Sequence, residues 1–311
     1  MTVAVIVAVL AVVYYCGGNT TALTGDNGLG LPSANEWFAG APGLGFALSL
    51  VANGATVVVM LLLNKVFNVF RSMTSLFIAL YAVMQLATPS LLTQFYTGTL
   101  LAVVVPLCMF LLFGCYRQPD STHRIFLIAF ILSGLTATQY CYAFYLLPFF
   151  VGCWQMSILS RRTVAAALMG IATPWILYLG YGIIDTSGLQ WPRFGGIFSE
   201  IDLDDTMLLL ASIGFTVFLT LLCYILNVFK TIAYNARARA VNGAFTVVTL
   251  VTVVAMCVDY RNIVGYVPML NYCAAMEVTH YFSTHRAEKT YIAILLILAA
   301  YVAFYICQTV I

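Results

Sequence analysis

Charge is what this chain has least of. Only 8% of its residues are charged, against roughly a quarter in soluble domains, while 63% are hydrophobic and mean hydropathy is +0.99. That deficit excludes a soluble globular fold, which would have too little polar surface to present to water. Catalytic signatures are missing too: the chain has no Walker A sequence, no G-x-S-x-G, no H-E-x-x-H and no metal-ligand spacing. It also has no C-x-x-C. Its nine cysteines lie mostly inside apolar runs, which reads as small buried hydrophobes rather than disulfides or metal ligands. Nor is there a basic patch, because the net charge of +2 is spread along the chain; this excludes nucleic acid as a partner.

The few charges that are present follow a pattern. Long apolar runs are separated by short polar joints whose sign alternates. Eleven of the thirteen Lys and Arg fall in five joints: Lys65 and Arg71; Arg117 and Arg124, with His123; Arg161 and Arg162; Lys230, Arg237 and Arg239; Arg286 and Lys289, with His285. The joints between them are acidic or neutral: Asp26 and Glu36; a turn at Pro89 to Gly98; another at Gln139 to Tyr142; Asp185 with Glu200, Asp202, Asp204 and Asp205; and Asp259. Lys and Arg stay on the cytoplasmic side of multi-pass membrane proteins, so the alternation reads as topology. The expected fold is all-α, a polytopic transmembrane helix bundle of about 11 spans. Its N-terminus is expected to be cytoplasmic and its C-terminus external. A single integral membrane domain fills residues 1–311, with outer loops at 17–43 and 185–205.

The spans are expected at Thr2 to Thr20, Leu44 to Val66, Thr74 to Leu92 with a break near Pro89, and Gly98 to Tyr116 with Pro106 in its middle. The first is apolar for only about 14 positions, near the length of a signal-peptide core. No basic residue precedes it, and Val13, Tyr14 and Tyr15 make a poor cleavage site, so it reads as a helix that is kept. Arg124 to Leu159 is one apolar stretch that as a single helix would run roughly 54 Å, against a hydrocarbon core of ~30 Å. Both flanks are basic, so it must cross twice, turning around Thr138, Gln139 and Tyr140 in a short hairpin. Thr163 to Ile184, Thr206 to Phe229, Val241 to Val258, Ile263 to Ser283 and Thr290 to Gln308 complete the set.

Three groups of polar residues are candidates for chemistry. Glu277 is the one acid inside an expected span. Asn271 lies on the same span, and His280 and Tyr281 follow at helical spacing, which gives Glu277, His280 and Tyr281 a common face. An intramembrane carboxylate is costly and points to a proton relay, an ion site or a ligand contact; the bland alternative is a structural pair with His280, His285 or Arg286. The second group is the outer loop with Trp191, Arg193, Asp204 and Asp205. There clustered acids suit a divalent cation, the only cofactor the chain suggests, and Arg193 suits a phosphate. Asp204 and Asp205 also suit a plain helix start. The third is Asp26 and Glu36 in a Gly-rich first loop, weak candidates for a catalytic base, for which a plain role as turn residues is the stronger reading.

The stretch Phe126 to Tyr178 carries Gly134, Tyr140, Tyr145, Pro148, Arg161, Arg162, Gly170 and Pro174-Trp175. On these residues the chain from about Ala41 onward resembles a family of bacterial multi-pass inner-membrane proteins without established activity. The same stretch resembles the core of integral-membrane polyprenyl-phosphate-dependent glycosyltransferases, although a firm pair of acids in the first outer loop and a sizeable external domain are missing. The resemblance implies a cell-envelope protein of the bacterial inner membrane that handles lipid-linked sugars, as a transferase relative or as a membrane partner of one. Polyprenyl-phosphate lipids are the ligands it implies. A proton- or ion-coupled transporter centred on Glu277 and a structural membrane subunit are the alternatives. Cysteine labelling is expected to place Arg71, Arg117, Arg161, Arg237 and Lys289 on the cytoplasmic side and Asp26, Arg193 and Asp259 outside. Labelling of Arg161 and Arg193 positions from the same side would overturn the eleven-span reading.

Overall fold

The apolar runs fold as helices because a helix satisfies every backbone N–H and C=O within its own segment, which an apolar medium requires. The computed structural model describes residues 2–18, 29–69, 73–118, 121–184, 189, 203–231, 236–284 and 290–310, of which 203–206, 228–231, 290 and 310 by backbone alone. Among them the chain is all helix: α1 (Thr2–Cys16), α2 (Pro42–Phe67), α3 (Thr74–Leu86), α4 (Pro89–Leu92), α5 (Thr97–Phe113), α6 (Thr122–Thr136), α7 (Cys141–Gln155), α8 (Arg161–Gly180), α9 (Leu203–Thr231), α10 (Ala236–Val258), α11 (Ile263–Thr284) and α12 (Thr290–Val310). A 3-10 turn, Tyr260–Asn262, joins α10 to α11.

Five stretches are long and apolar enough to cross a membrane: α2, α8, α10, Met207–Asn227 of α9 and Tyr291–Thr309 of α12. Helices α1, α3, α5, α6 and α7 are equally apolar but shorter. Large hydrophobic side chains stand exposed along α8 (Leu168, Met169, Ile176) and α12 (Tyr291, Leu295, Leu296), as expected where lipid takes the place of water.

The break expected near Pro89 separates α3 from α4. Proline forces the residue before it out of the helical region, and Thr88 sits at φ −129°, ψ 67°. The long stretch from Arg124 turns where expected, since α6 ends at Thr136 and α7 begins at Cys141. Each arm has 15 residues, or about 22 Å, well short of a ~30 Å core. The turn is not left bare: Thr138, Gln139 and Tyr140 are buried, and the Gly30 and Leu31 amides donate to the Ala137 carbonyl at 3.2 and 3.0 Å. Part of the first loop therefore closes over the hairpin. Pro106 is tolerated inside α5 for a similar reason, because the Thr56 hydroxyl of α2 lies 3.2 Å from the Ala102 carbonyl that the proline frees.

Side-chain and loop contacts define two ends of the bundle. At the basic end the Arg117 amide donates to the Met156 carbonyl at 3.1 Å, Arg124 Nη1 donates to the Gly114 carbonyl at 2.8 Å, and Arg237 lies over the Phe67 ring. At the other end Asn35 Oδ1 accepts from the Thr97 amide at 3.1 Å, and Tyr140 meets Asp259.

Helices α6 and α8 form the most extensive helix pair. Their contact is built on small residues. A Cβ at Gly170 would lie 2.6 Å from the Phe126 carbonyl and 2.8 Å from the Ala129 Cβ, and Gly134 faces Pro174 and Tyr178. Ser133 Oγ adds a hydrogen bond of 2.7 Å to the Ile171 carbonyl across the same contact. Close backbone approach through small residues is the usual way membrane helices associate. Gly170→Val is expected to push α6 and α8 apart and cost about 1–3 kcal/mol through overpacking. Thermal unfolding in detergent measures this, and an unchanged midpoint would show that the pair does not depend on the glycine.

Candidate functional site

The polar residues of α11 have nowhere to go but inward. From Tyr266 to His280 every residue is buried, and the helix is enclosed by α3, α5, α9 and α10. A helix buried on all faces is a core helix, and this one carries Tyr266, Asn271, Tyr272, Cys273, Glu277, Thr279 and His280 in that buried stretch. The stretch rises about 21 Å, most of the depth of a hydrocarbon core.

Three polar clusters are strung along it. At the acidic end Asp259, wholly buried, accepts hydrogen bonds from Tyr140 Oη (2.7 Å) and Asn262 Nδ2 (3.1 Å) on one carboxylate oxygen and from Tyr266 Oη (2.8 Å) on the other. In the middle Asn271 Nδ2 donates to Gln85 Oε1 at 3.4 Å; Gln85 Nε2 donates to Tyr81 Oη at 3.0 Å, and Tyr81 donates to Asn53 Oδ1 at 2.9 Å. That chain links α11 to α3 and α2. Near the basic end Asn227 of α9 donates to Glu277 twice, to a carboxylate oxygen at 2.7 Å and to its backbone carbonyl at 2.9 Å. One turn on, His280 Nε2 lies 3.2 Å from Asn242 Nδ2 of α10.

Glu277 is 4% exposed, and its carboxylate is held by a neutral amide; among the described residues no cation comes within ion-pair distance of it. Two neighbouring hydroxyls on α11 add to the unusual chemistry of this region. Tyr272 Oη and Thr279 Oγ1 are fully buried without a hydrogen-bond partner among the described residues, a situation that costs about 1–3 kcal/mol each.

The structure thus takes Glu277 and His280 to separate partners on separate helices. Tyr281, expected on their face, is only partly buried and packs edge-on against Phe282 at 5.3 Å, while Asn271 belongs to the middle cluster. Of the outer candidates, Glu36 is exposed in a turn, where its amide bonds the Ser33 carbonyl at 3.0 Å. Asp204 and Asp205 fall in the first turn of α9, as a plain helix start requires. Asp26, Trp191, Arg193 and Arg286 lie outside the described residues. Among the described residues no three His, Cys, Asp or Glu side chains gather as metal ligands.

Sequence reasoning missed Asp259, read only as a joint residue, and the amides Asn53, Gln85, Asn227 and Asn242. The signal was present, since each of those amides is a strongly polar side chain inside an otherwise apolar run, and such residues face the bundle interior and find partners.

No protein-family model, curated protein or solved structure matches this chain.

Asp259 has the densest set of hydrogen bonds. Asp259→Asn replaces one accepting oxygen by an NH2 group that faces hydroxyl donors, and removes the charge from the remaining bonds. A loss of about 1.5–3 kcal/mol in detergent unfolding is expected. Tyr140→Phe combined with it should cost less than the two single changes added. Full additivity would show that Tyr140 and Asp259 do not act together.

Proposed function

We propose that this protein is a multi-pass inner-membrane transporter in which protons move along α11. In this reading its eleven longer helices all cross the bilayer with the basic end in the cytoplasm, and the short α6 and α7 do so as a hairpin roofed by the first loop. Glu277 is the carrier site. Asn227 orients its carboxyl group, and His280, one turn nearer the cytoplasm, passes protons to and from it.

The observation that carries the reading is the setting of Glu277: a buried carboxyl held by a neutral amide, on a helix enclosed on all sides. A bare charge is expensive there, and proton or cation binding is the ordinary way such a group is accommodated in a membrane protein. The polar clusters at Asn271 and Asp259 and the unbonded hydroxyls of Tyr272 and Thr279 extend polar atoms from Glu277 toward the opposite end of the same helix. A structural pair would give Glu277 a fixed cationic partner, and its partner is Asn227.

Proton uptake into liposomes loaded with a pH-sensitive dye, driven by a potassium diffusion potential, tests the assignment. The wild-type protein is expected to acidify the lumen. Glu277→Gln keeps an oxygen for Asn227 to bond, so it is expected to retain the wild-type unfolding midpoint while its flux falls to that of empty liposomes. Unchanged flux in this variant, or none in the wild type, would overturn the reading.

A further inference from the structure

A crevice of about 290 Å³ opens between α6, α7 and α8 in the basic half of the bundle, with Leu112 of α5 at its floor. Helices α6 and α8 meet closely at Gly170 and Gly134, and Ile125, Phe149, Leu159 and Ala167 line the crevice beside that contact. Its wall is apolar. The one hydroxyl there, Thr163 Oγ1, is already engaged, bonding the Ile158 carbonyl at 2.7 Å and the Ser160 cap. The rim faces the lipid side: Leu147 is 59% exposed, and Phe150 and Leu159 are exposed beside it.

Two cations sit in the segment that borders the crevice. Leu159 and Thr163 both line it, and the two residues that begin α8 between them are Arg161 and Arg162, both exposed. Neither arginine has a hydrogen-bond or ion-pair partner among the described residues. The position is electrostatically unfavourable, because a helix N-terminus already carries the positive end of the macrodipole and is suited to anions. Two cations there raise the local potential with no acid to offset it within the first turn. The combination is specific: an apolar slot open on its outer side, with two exposed arginines in the chain segment between two of its lining residues, Leu159 and Thr163. Lipid-facing basic pockets between transmembrane helices are where anionic headgroups bind. The volume lies at the lower limit for a whole small-molecule site, around 300 Å³, which suits a length of hydrocarbon chain.

We infer that this crevice holds one acyl chain of an anionic phospholipid of the adjacent leaflet, with the lipid phosphate clamped by Arg161 and Arg162 at the start of α8. The inference rests on the crevice and its rim and is independent of Glu277.

Trp154, 69% exposed and next to the crevice residue Cys153, reports on occupancy. The full chain with Trp37, Trp175 and Trp191 changed to Phe keeps Trp154 as its sole tryptophan. It is titrated in detergent with phosphatidylglycerol carrying brominated acyl chains, and in parallel with phosphatidylcholine carrying the same chains. Bromine quenches the indole when the chain is bound beside it. Phosphatidylglycerol is expected to quench at an apparent concentration about tenfold lower than phosphatidylcholine, equivalent to one charge-assisted contact of ~1.4 kcal/mol. Arg161→Gln with Arg162→Gln, both exposed and so compatible with folding, is expected to make the two lipids equal. Equal quenching by the two lipids in the parent protein would overturn the inference, as would a preference for phosphatidylglycerol that survives the double change. Ala167→Phe, which fills the slot, should weaken quenching by both lipids; if a monodisperse, folded Ala167→Phe protein is quenched as before, the chain lies elsewhere.

Discussion

The constraint on which this structure depends is that no backbone polar group at membrane depth can be left to solvent, because there is none. Long helices meet it by themselves. The short ones do not, and around them the chain supplies partners one at a time. Ser49 Oγ bonds the Leu92 carbonyl at 2.7 Å where α4 ends, Tyr142 Oη bonds the Thr97 carbonyl at 3.3 Å, and Asn35 takes the Thr97 amide. Irregular backbone at depth is tolerated only where protein surrounds it, and these contacts are how that is arranged. They also explain why part of the first loop folds inward: it carries the amides that the α6–α7 turn needs.

The same constraint sorts the side chains. Past the two arginines that open α8, the large exposed side chains of α8 and α12 are apolar or aromatic: Leu, Ile, Met, Val and Tyr. Polar residues collect on the helix that is buried over most of its length. There they need one another, which is why each cluster along α11 joins side chains from two or three helices. Such contacts hold the surrounding helices in register, since a sliding helix would leave amides and carboxylates without partners at a cost well above that of a shifted leucine. The arrangement that makes α11 able to carry charge also fixes its position.

Much of the architecture was legible in the sequence, and for a definite reason. Span limits follow from apolar runs and charged joints, which are local properties; the turn at Thr138 to Tyr140 followed from the length of one run and the sign of its flanks. Gly134, Gly170 and Pro174, which in the sequence belong to the stretch that carries the family resemblance, lie in the contact of α6 with α8. The site was less legible, because its geometry is non-local. Glu277 stood out as an acid in a span, yet its partner Asn227 is 50 residues away and the partner of Asp259, Tyr140, is 119 away. Nothing in the local pattern around Asp259 separates a solvated joint from a carboxylate enclosed by two tyrosines. Helical spacing placed Glu277, His280 and Tyr281 on one face correctly in principle, but neighbouring helices that approach from different sides took their side chains in different directions.

The helix at the centre of the bundle is the eleventh of the twelve described helices in order of synthesis. Its surroundings, α3, α5, α9 and α10, leave the ribosome before it does. Until α11 is delivered, Gln85, Asn227 and Asn242 have no partners from it. Assembly of this protein is therefore a late event, in which an amphiphilic and only moderately apolar segment must be handed into a cup formed by its predecessors. Part of the insertion energy of that segment comes from the earlier helices rather than from the bilayer, so biogenesis and the polar chemistry of the core depend on the same residues.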